Sequence, residues 1–172
     1  MTDTSTYADA LAGRGIFADM ERSEIDVLVE ACEPVTVMPG QPLWSPGDPK
    51  DAAYILVSGR VEVSYRVEPD GTRKVQSTEA GSLLTLSSLV YPWEHGSAGT
   101  PLERSELLKL SRQVFEQLFE DGHPAAYCLV DAISEDLVDE MRDANRRLHE
   151  VFGHPAETLR MLRRRSRDVG RT

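Results

Sequence analysis

The chain has 172 residues, with 19 Lys and Arg against 29 Asp and Glu and a formal net charge of −10. That length suits one domain with a single hydrophobic core and a short appendage. The acidic balance repels nucleic acid, and no apolar run approaches the roughly 18 residues of a membrane span. The polar N-terminus carries no apolar signal region, so a cytoplasmic location and no membrane association are expected.

Tyr7 to Leu11 reads as a short helix, and Ile16-Phe17 as an anchoring turn. Ser23-Glu24-Ile25-Asp26 opens a longer helix, with Ser23 as the expected cap and Asp26 completing a capping-box spacing. Ile25, Leu28, Val29 and Cys32 then recur as one buried stripe. Cys32 and Cys128 both fall on apolar helix faces. They read as small buried hydrophobes rather than a disulfide or redox pair.

From about Val35 to Leu110 the period changes to two. Glycines and prolines punctuate Pro39-Gly40-Gln41-Pro42-Leu43-Trp44-Ser45-Pro46-Gly47-Asp48, as between consecutive short antiparallel strands. Val61, Val63, Tyr65 and Val67 alternate with Glu62, Ser64 and Arg66, a strand with one wet face. Pro69-Asp70-Gly71-Thr72 should turn the chain into a partner strand over roughly 72–79. A later strand ends in Glu106 to Leu110. Ser111 then caps a short helix with Val114, Phe115, Leu118 and Phe119 on one side, closed by Gly122.

The last element runs from Pro124 to Phe152. Val130, Ile133, Leu137, Met141, Ala144 and Leu148 recur at steps of three or four, flanked by acids and arginines. So narrow a stripe on so long a helix predicts a coiled-coil dimer seam, hence a homodimer, with packing inside the domain as the other reading. Gly153-His154-Pro155 ends it. Residues 156–172 hold six Arg against Glu157 and Asp168, a net +4 that leaves −14 on 1–155 of the total −10. This tail is either a solvated, disordered end or a contact for nucleic acid or an acidic partner.

The order of helix, Pro-Gly punctuated roll, short helix and long helix resembles the cyclic-nucleotide-binding domain of the catabolite-activator (Crp/Fnr) family. Gly15-Ile16-Phe17 to Leu28, the Gly40–Gly47 turns and Tyr54 to Gly59 carry that resemblance, which covers about residues 11–152. It implies an α+β fold: a double-stranded β-helix, or jelly-roll-like β-roll, flanked by N-terminal helices and a long C-terminal dimerisation helix. Residues 1–155 would form that domain and 156–172 a basic tail.

Family function rests on a phosphate-binding cassette. Its glycine and glutamate precede a short helix, and an Arg, a Ser or Thr and an Ala follow. Guanidinium pairs bidentately with the cyclic phosphate, helix-terminal N–H groups assist, and the glutamate orients the ribose hydroxyl. Here Gly81-Ser82-Leu83-Leu84 matches the entry to the cassette. The Gly-Glu-Leu positions read Thr85, Leu86 and Ser87, and the Arg-Ser-Ala positions read His95, Gly96 and Ser97. No arginine lies between Lys74 and Arg104. The base-contacting pair on the long helix corresponds to Ile133-Ser134, so Ser134 alone keeps a hydroxyl. Tight binding of cyclic AMP or cyclic GMP is therefore not expected.

In Tyr91-Pro92-Trp93-Glu94-His95, Trp93 and His95 either line a pocket rebuilt for another ligand or belong to a surface loop whose Trp93 covers the vacated site. Leu83, Leu84, Leu86, Leu89 and Val90 suit a small apolar effector or a self-filled pocket better than a phosphate. Cys32, His95 and His123 lack a diagnostic heme spacing, and metal-dependent cupins would need a His-x-His pair that the roll does not contain. No nucleophile elbow occurs either. The expectation is no catalytic residue, no metal and no cofactor, leaving a non-canonical small-molecule effector as an option.

In transcription factors of this family a winged helix-turn-helix follows the dimer helix. This chain stops about twenty residues past Phe152, which argues against sequence-specific DNA binding. The expected function is a dimeric regulatory sensor acting through an unidentified protein partner. The alternative is a ligand-free scaffold that keeps the fold for protein–protein contact.

Overall fold

The structure, a computed structural model, describes residues 4–67 and 72–153. The chain divides into two compact units, Met1–Ala132 and Ile133–Thr172. The expected Pro69-Asp70-Gly71 turn, the His154-Pro155 stop and the arginine-rich tail lie outside the described residues.

Helices α1 (Thr4–Leu11) and α2 (Arg22–Ala31) lie against each other, separated by a 3-10 turn at Gly15–Ala18. Tyr7, Leu11, Phe17, Ile25 and Leu28 are buried, as their spacing requires. The cap of α2 is Glu21, not Ser23. The Glu21 N–H donates to Glu24 Oε2 at 2.8 Å, which builds the capping box two residues earlier than the serine suggests. Asp26 has another role: it accepts from Arg22 Nε at 2.8 Å, and Arg22 also binds Asp9. Cys32 is buried just beyond α2, where desolvation pushes its thiol up to about 12. It is a structural thiol.

Among the described residues the roll follows as seven strands: β1 (Glu33–Val37), β2 (Ala52–Ser58), β3 (Arg60–Val67), β4 (Thr72–Glu79), β5 (Leu83–Leu84), β6 (Ser97–Pro101) and β7 (Ser105–Ser111). One antiparallel sheet has the order β1-β7-β2-β5, and the other β4-β3-β6. The architecture is the expected jelly-roll-like α+β fold. On β3 the alternation breaks: Ser64, placed on the wet face by its sequence, is only 5% exposed. It sits mid-strand between Val75 of β4 and Ala98 of β6, so a central position overrides the two-residue pattern.

The core of the roll gathers Trp44, Leu56, Val61, Leu84 and Leu107. Fully removing such side chains from water stabilises by about 1.5–3 kcal/mol each. After β7, Ser111 accepts from the Val114 N–H at 3.3 Å and caps α3 (Arg112–Glu120), as read from the sequence. Gly122, at φ 71°, then turns the chain into α4 (Pro124–Phe152). In the first unit, Ala125, Ala126 and Leu129 of α4 are buried and Val130 half-buried. In the second, Ile133 is buried, Leu137 half-buried and Met141 65% exposed. The side chains of Ala144 and Leu148 lie outside the described ones.

Candidate functional site

Two-residue β5 pairs with Tyr54 and Ile55 of β2 and delivers the chain to Thr85. Thr85 has φ 55° and ψ 34°, and among the described residues no other non-glycine has a positive φ. Left-handed backbone at a β-branched residue costs of order 1–3 kcal/mol. Its Oγ1 donates toward the carbonyls of Ala52 at 3.1 Å and Leu84 at 2.7 Å, which offsets part of that strain. The backbone thus keeps a conformation suited to glycine while the side chain is threonine.

Leu86, Ser87, Ser88 and Leu89 form a 3-10 turn in which Leu86, Ser88 and Leu89 are buried. Leu86 therefore offers hydrocarbon where the resemblance implies a ribose-orienting carboxylate. Ser87 is half-buried, and its carbonyl accepts from the N–H groups of Val90 at 3.2 Å and Tyr91 at 2.9 Å. The Ser88 hydroxyl is buried without a hydrogen-bond partner.

Trp93 and His95, paired in the sequence reading, go to different environments. Trp93 is 70% exposed and rests against Tyr91, ring centroids 5.6 Å apart, rather than covering the roll. His95 is 5% exposed. Its N–H donates to Asp48 O at 2.8 Å, and its carbonyl accepts from the Gly47 N–H at 2.8 Å. Nδ1 is buried with no partner. Desolvation, helped by Lys50, holds the imidazole below its ordinary value against the opposing pull of Asp48 and Asp51. A neutral ring follows at pH 7.

Gly96 is exposed, with no atom within 4 Å of where a Cβ would sit. Ser97 is half-buried, and its Oγ accepts from Trp44 Nε1 at 3.2 Å. Ser134 is an exposed residue of α4 in the second unit.

Two residues that organise this region were missed in the sequence. Trp44, 3% exposed, stacks on Tyr54 at 5.8 Å and on His95 at 5.4 Å, making a three-ring column inside the roll. Gly99 makes room for it, since a Cβ there would come within 2.4 Å of the indole. The second is Arg112, whose guanidinium reaches backbone carbonyls of the cassette segment and so is not directed to a ligand phosphate. The signal for Trp44 was the single large aromatic in a Pro-Gly turn region. Nothing local marked Arg112.

The segment can therefore supply backbone N–H groups, hydroxyls and a neutral imidazole, but Thr85–Ser97 contains no cationic side chain. Among the described residues no group of three or more His, Cys, Asp or Glu could hold a metal ion, and no helix is long and apolar enough to cross a membrane.

The profile of the cyclic nucleotide-binding domain matches residues 34–121. A CRP-like cAMP-activated global transcriptional regulator of Mycobacterium tuberculosis is 27% identical over 114 residues, covering 66% of this chain and 50% of that protein. The chain thus spans about half the length of the curated relatives it matches. The N-terminal domain of a Streptomyces coelicolor transcriptional regulator superposes with a TM-score of 0.64 at 26% identity, covering 77% of this chain and 94% of that one. The Thermus thermophilus catabolite activator protein gives a TM-score of 0.67 at 23% identity, over 79% and 62% of the two chains. With the profile spanning half of its residues and the roll built as described, the chain belongs to the cyclic nucleotide-binding domain family.

Proposed function

We propose that the chain is a non-catalytic, homodimeric regulatory module of this family that does not hold cyclic AMP or cyclic GMP tightly and reports through a protein partner. One observation carries the reading. From Thr85 to Ser97 the cassette has no Arg or Lys for the phosphate; Leu86 is buried where the ribose carboxylate is expected, and Glu94, the one acid of the segment, is exposed beside Trp93. Losing a charge-assisted contact of about 1.5–3 kcal/mol, and the ribose contact with it, weakens binding by about two to four decades. Titration calorimetry with either nucleotide should show no saturation below about 100 μM. Clear 1:1 saturation at micromolar concentration would overturn the reading.

The Tyr54–Trp44–His95 column favours a second reading, in which the roll is filled by its own side chains and the module is a ligand-free scaffold. A thermal-shift screen of nucleotides and metabolites separates the two. A saturable shift that is lost in His95→Ala identifies a sensor with an effector other than a cyclic nucleotide, and no shift across the screen supports the scaffold.

Dimerisation rests on α4, where Val138 and Met141 are exposed apolar residues and Leu137 is half-buried. Leu137→Asp should convert a dimer to a monomer in light scattering, because a carboxylate on an apolar seam is strongly unfavourable. An unchanged mass for the variant would remove the seam from the proposal.

A further inference from the structure

Arg112 opens α3, and its backbone N–H donates to Asp51 O at 2.8 Å. Its side chain turns to the cassette. Nε and Nη2 donate to Ser88 O at 2.8 and 2.6 Å, and Nη2 also reaches Tyr91 O at 3.1 Å and Lys50 O. One guanidinium thus gathers three carbonyls from two separate segments, the 3-10 turn with its exit at Tyr91 and the loop before β2. Those segments are tied together further along, by Lys50 N–H to Trp93 O at 2.8 Å and by the Asp48–His95 bond. α3 itself packs against the 3-10 turn.

We infer that Arg112 is a built-in latch: it fixes the segment 86–95 to α3 in one conformation without any ligand. In a ligand-gated module, the ligand selects one arrangement by binding it more tightly than the other. Here the guanidinium supplies that preference from within the chain. Hydrogen bonds from a charged donor are worth about twice neutral ones. The planar fork sets Nε and Nη2 together on Ser88 O while Nη2 also reaches Tyr91 and Lys50, a fixed geometry that the single nitrogen of an ammonium does not reproduce. The buried Ser88 hydroxyl makes no hydrogen bond of its own, so the carbonyl of Ser88, and not its side chain, carries the restraint. Segment and α3 should consequently move as one body, and a partner that displaces α3 would displace the cassette with it. The latch stands whether or not the roll takes an effector.

Hydrogen exchange with Arg112→Met and Arg112→Lys tests this, comparing amides of 86–95 with those of β7. In Arg112→Met the segment should exchange at least about tenfold faster while β7 keeps its protection, because local opening no longer breaks charged bonds. Arg112→Lys should fall between the two, keeping the charge but losing the fork. Unchanged exchange over 86–95 in Arg112→Met would overturn the latch. So would an equal acceleration of β7 and the segment in both variants, which would make Arg112 a general support of the fold. If Arg112→Met does not fold, the lysine variant decides by the same comparison.

Discussion

Replacing Trp44 by alanine should lower the stability of the roll by about 3–5 kcal/mol, the usual range for deleting a buried aromatic from a packed core. The indole lies among Leu56, Val61, Leu84 and Leu107, which cannot close over so large a gap without leaving the strand register that fixes them. Two further losses add to the cavity. Ser97 Oγ loses its donor, and the faces of Tyr54 and His95 that stack on the indole at 5.8 and 5.4 Å lose their partner. Urea denaturation measures the change, and Trp44→Phe, which keeps a ring but no N–H, should cost about half as much. Fluorescence gives an independent check: Trp93, already exposed, is then the single tryptophan left, so the folded variant should emit as a wet indole. A loss below about 1 kcal/mol for Trp44→Ala would mean that the column does not fill the roll.

How far the sequence disclosed this molecule depends on the range of each interaction. The Ser111 cap, the β3–β4 pair and the stripe of α2 rest on residues a few positions apart, and all were visible. The start of α2 was misread because Glu21 and Ser23 are both competent caps. The fold uses Glu21, whose N–H is held by Glu24, while Arg22 beside it engages Asp26 and Asp9 of the preceding helix. Thr85 hid its role more completely, since a β-branched residue gives no hint of left-handed backbone. Trp44 finds its hydrogen-bond partner 53 positions away, and Arg112 reaches Lys50 across 62. The acceptors of Arg112 are carbonyls, which every residue carries, so no pattern of side chains could announce them. What the sequence offered about the site was compositional: no Arg or Lys from Thr85 to Ser97, and Leu86 where the resemblance implies a glutamate.

Gly59 joins β2 to β3 at φ 92°, and Gly59→Ala should destabilise the protein by about 2–5 kcal/mol. Left-handed backbone contributes about 1–2 kcal/mol of that for any L-residue. Crowding supplies the rest, because the new Cβ would stand 2.3 Å from Ser105 Oγ, 2.7 Å from Ser105 Cα and 2.8 Å from Arg104 O. Two of those three atoms are backbone at the start of β7, so no rotamer change can relieve them. Gly40→Ala is the control. Its φ is 79°, yet nothing lies within 4 Å of the added carbon, so only the backbone strain should be felt. Gly59→Ala combined with Ser105→Ala sharpens the argument, since it removes the hydroxyl contact and leaves both backbone contacts. The double variant should remain nearly as unstable as Gly59→Ala in thermal melts. It also loses the hydroxyl that accepts from the Arg60 N–H at 3.2 Å and donates to Glu103 O at 2.9 Å. Full recovery in the double variant would show that a side chain, rather than the close approach of two strands, makes glycine necessary at this turn.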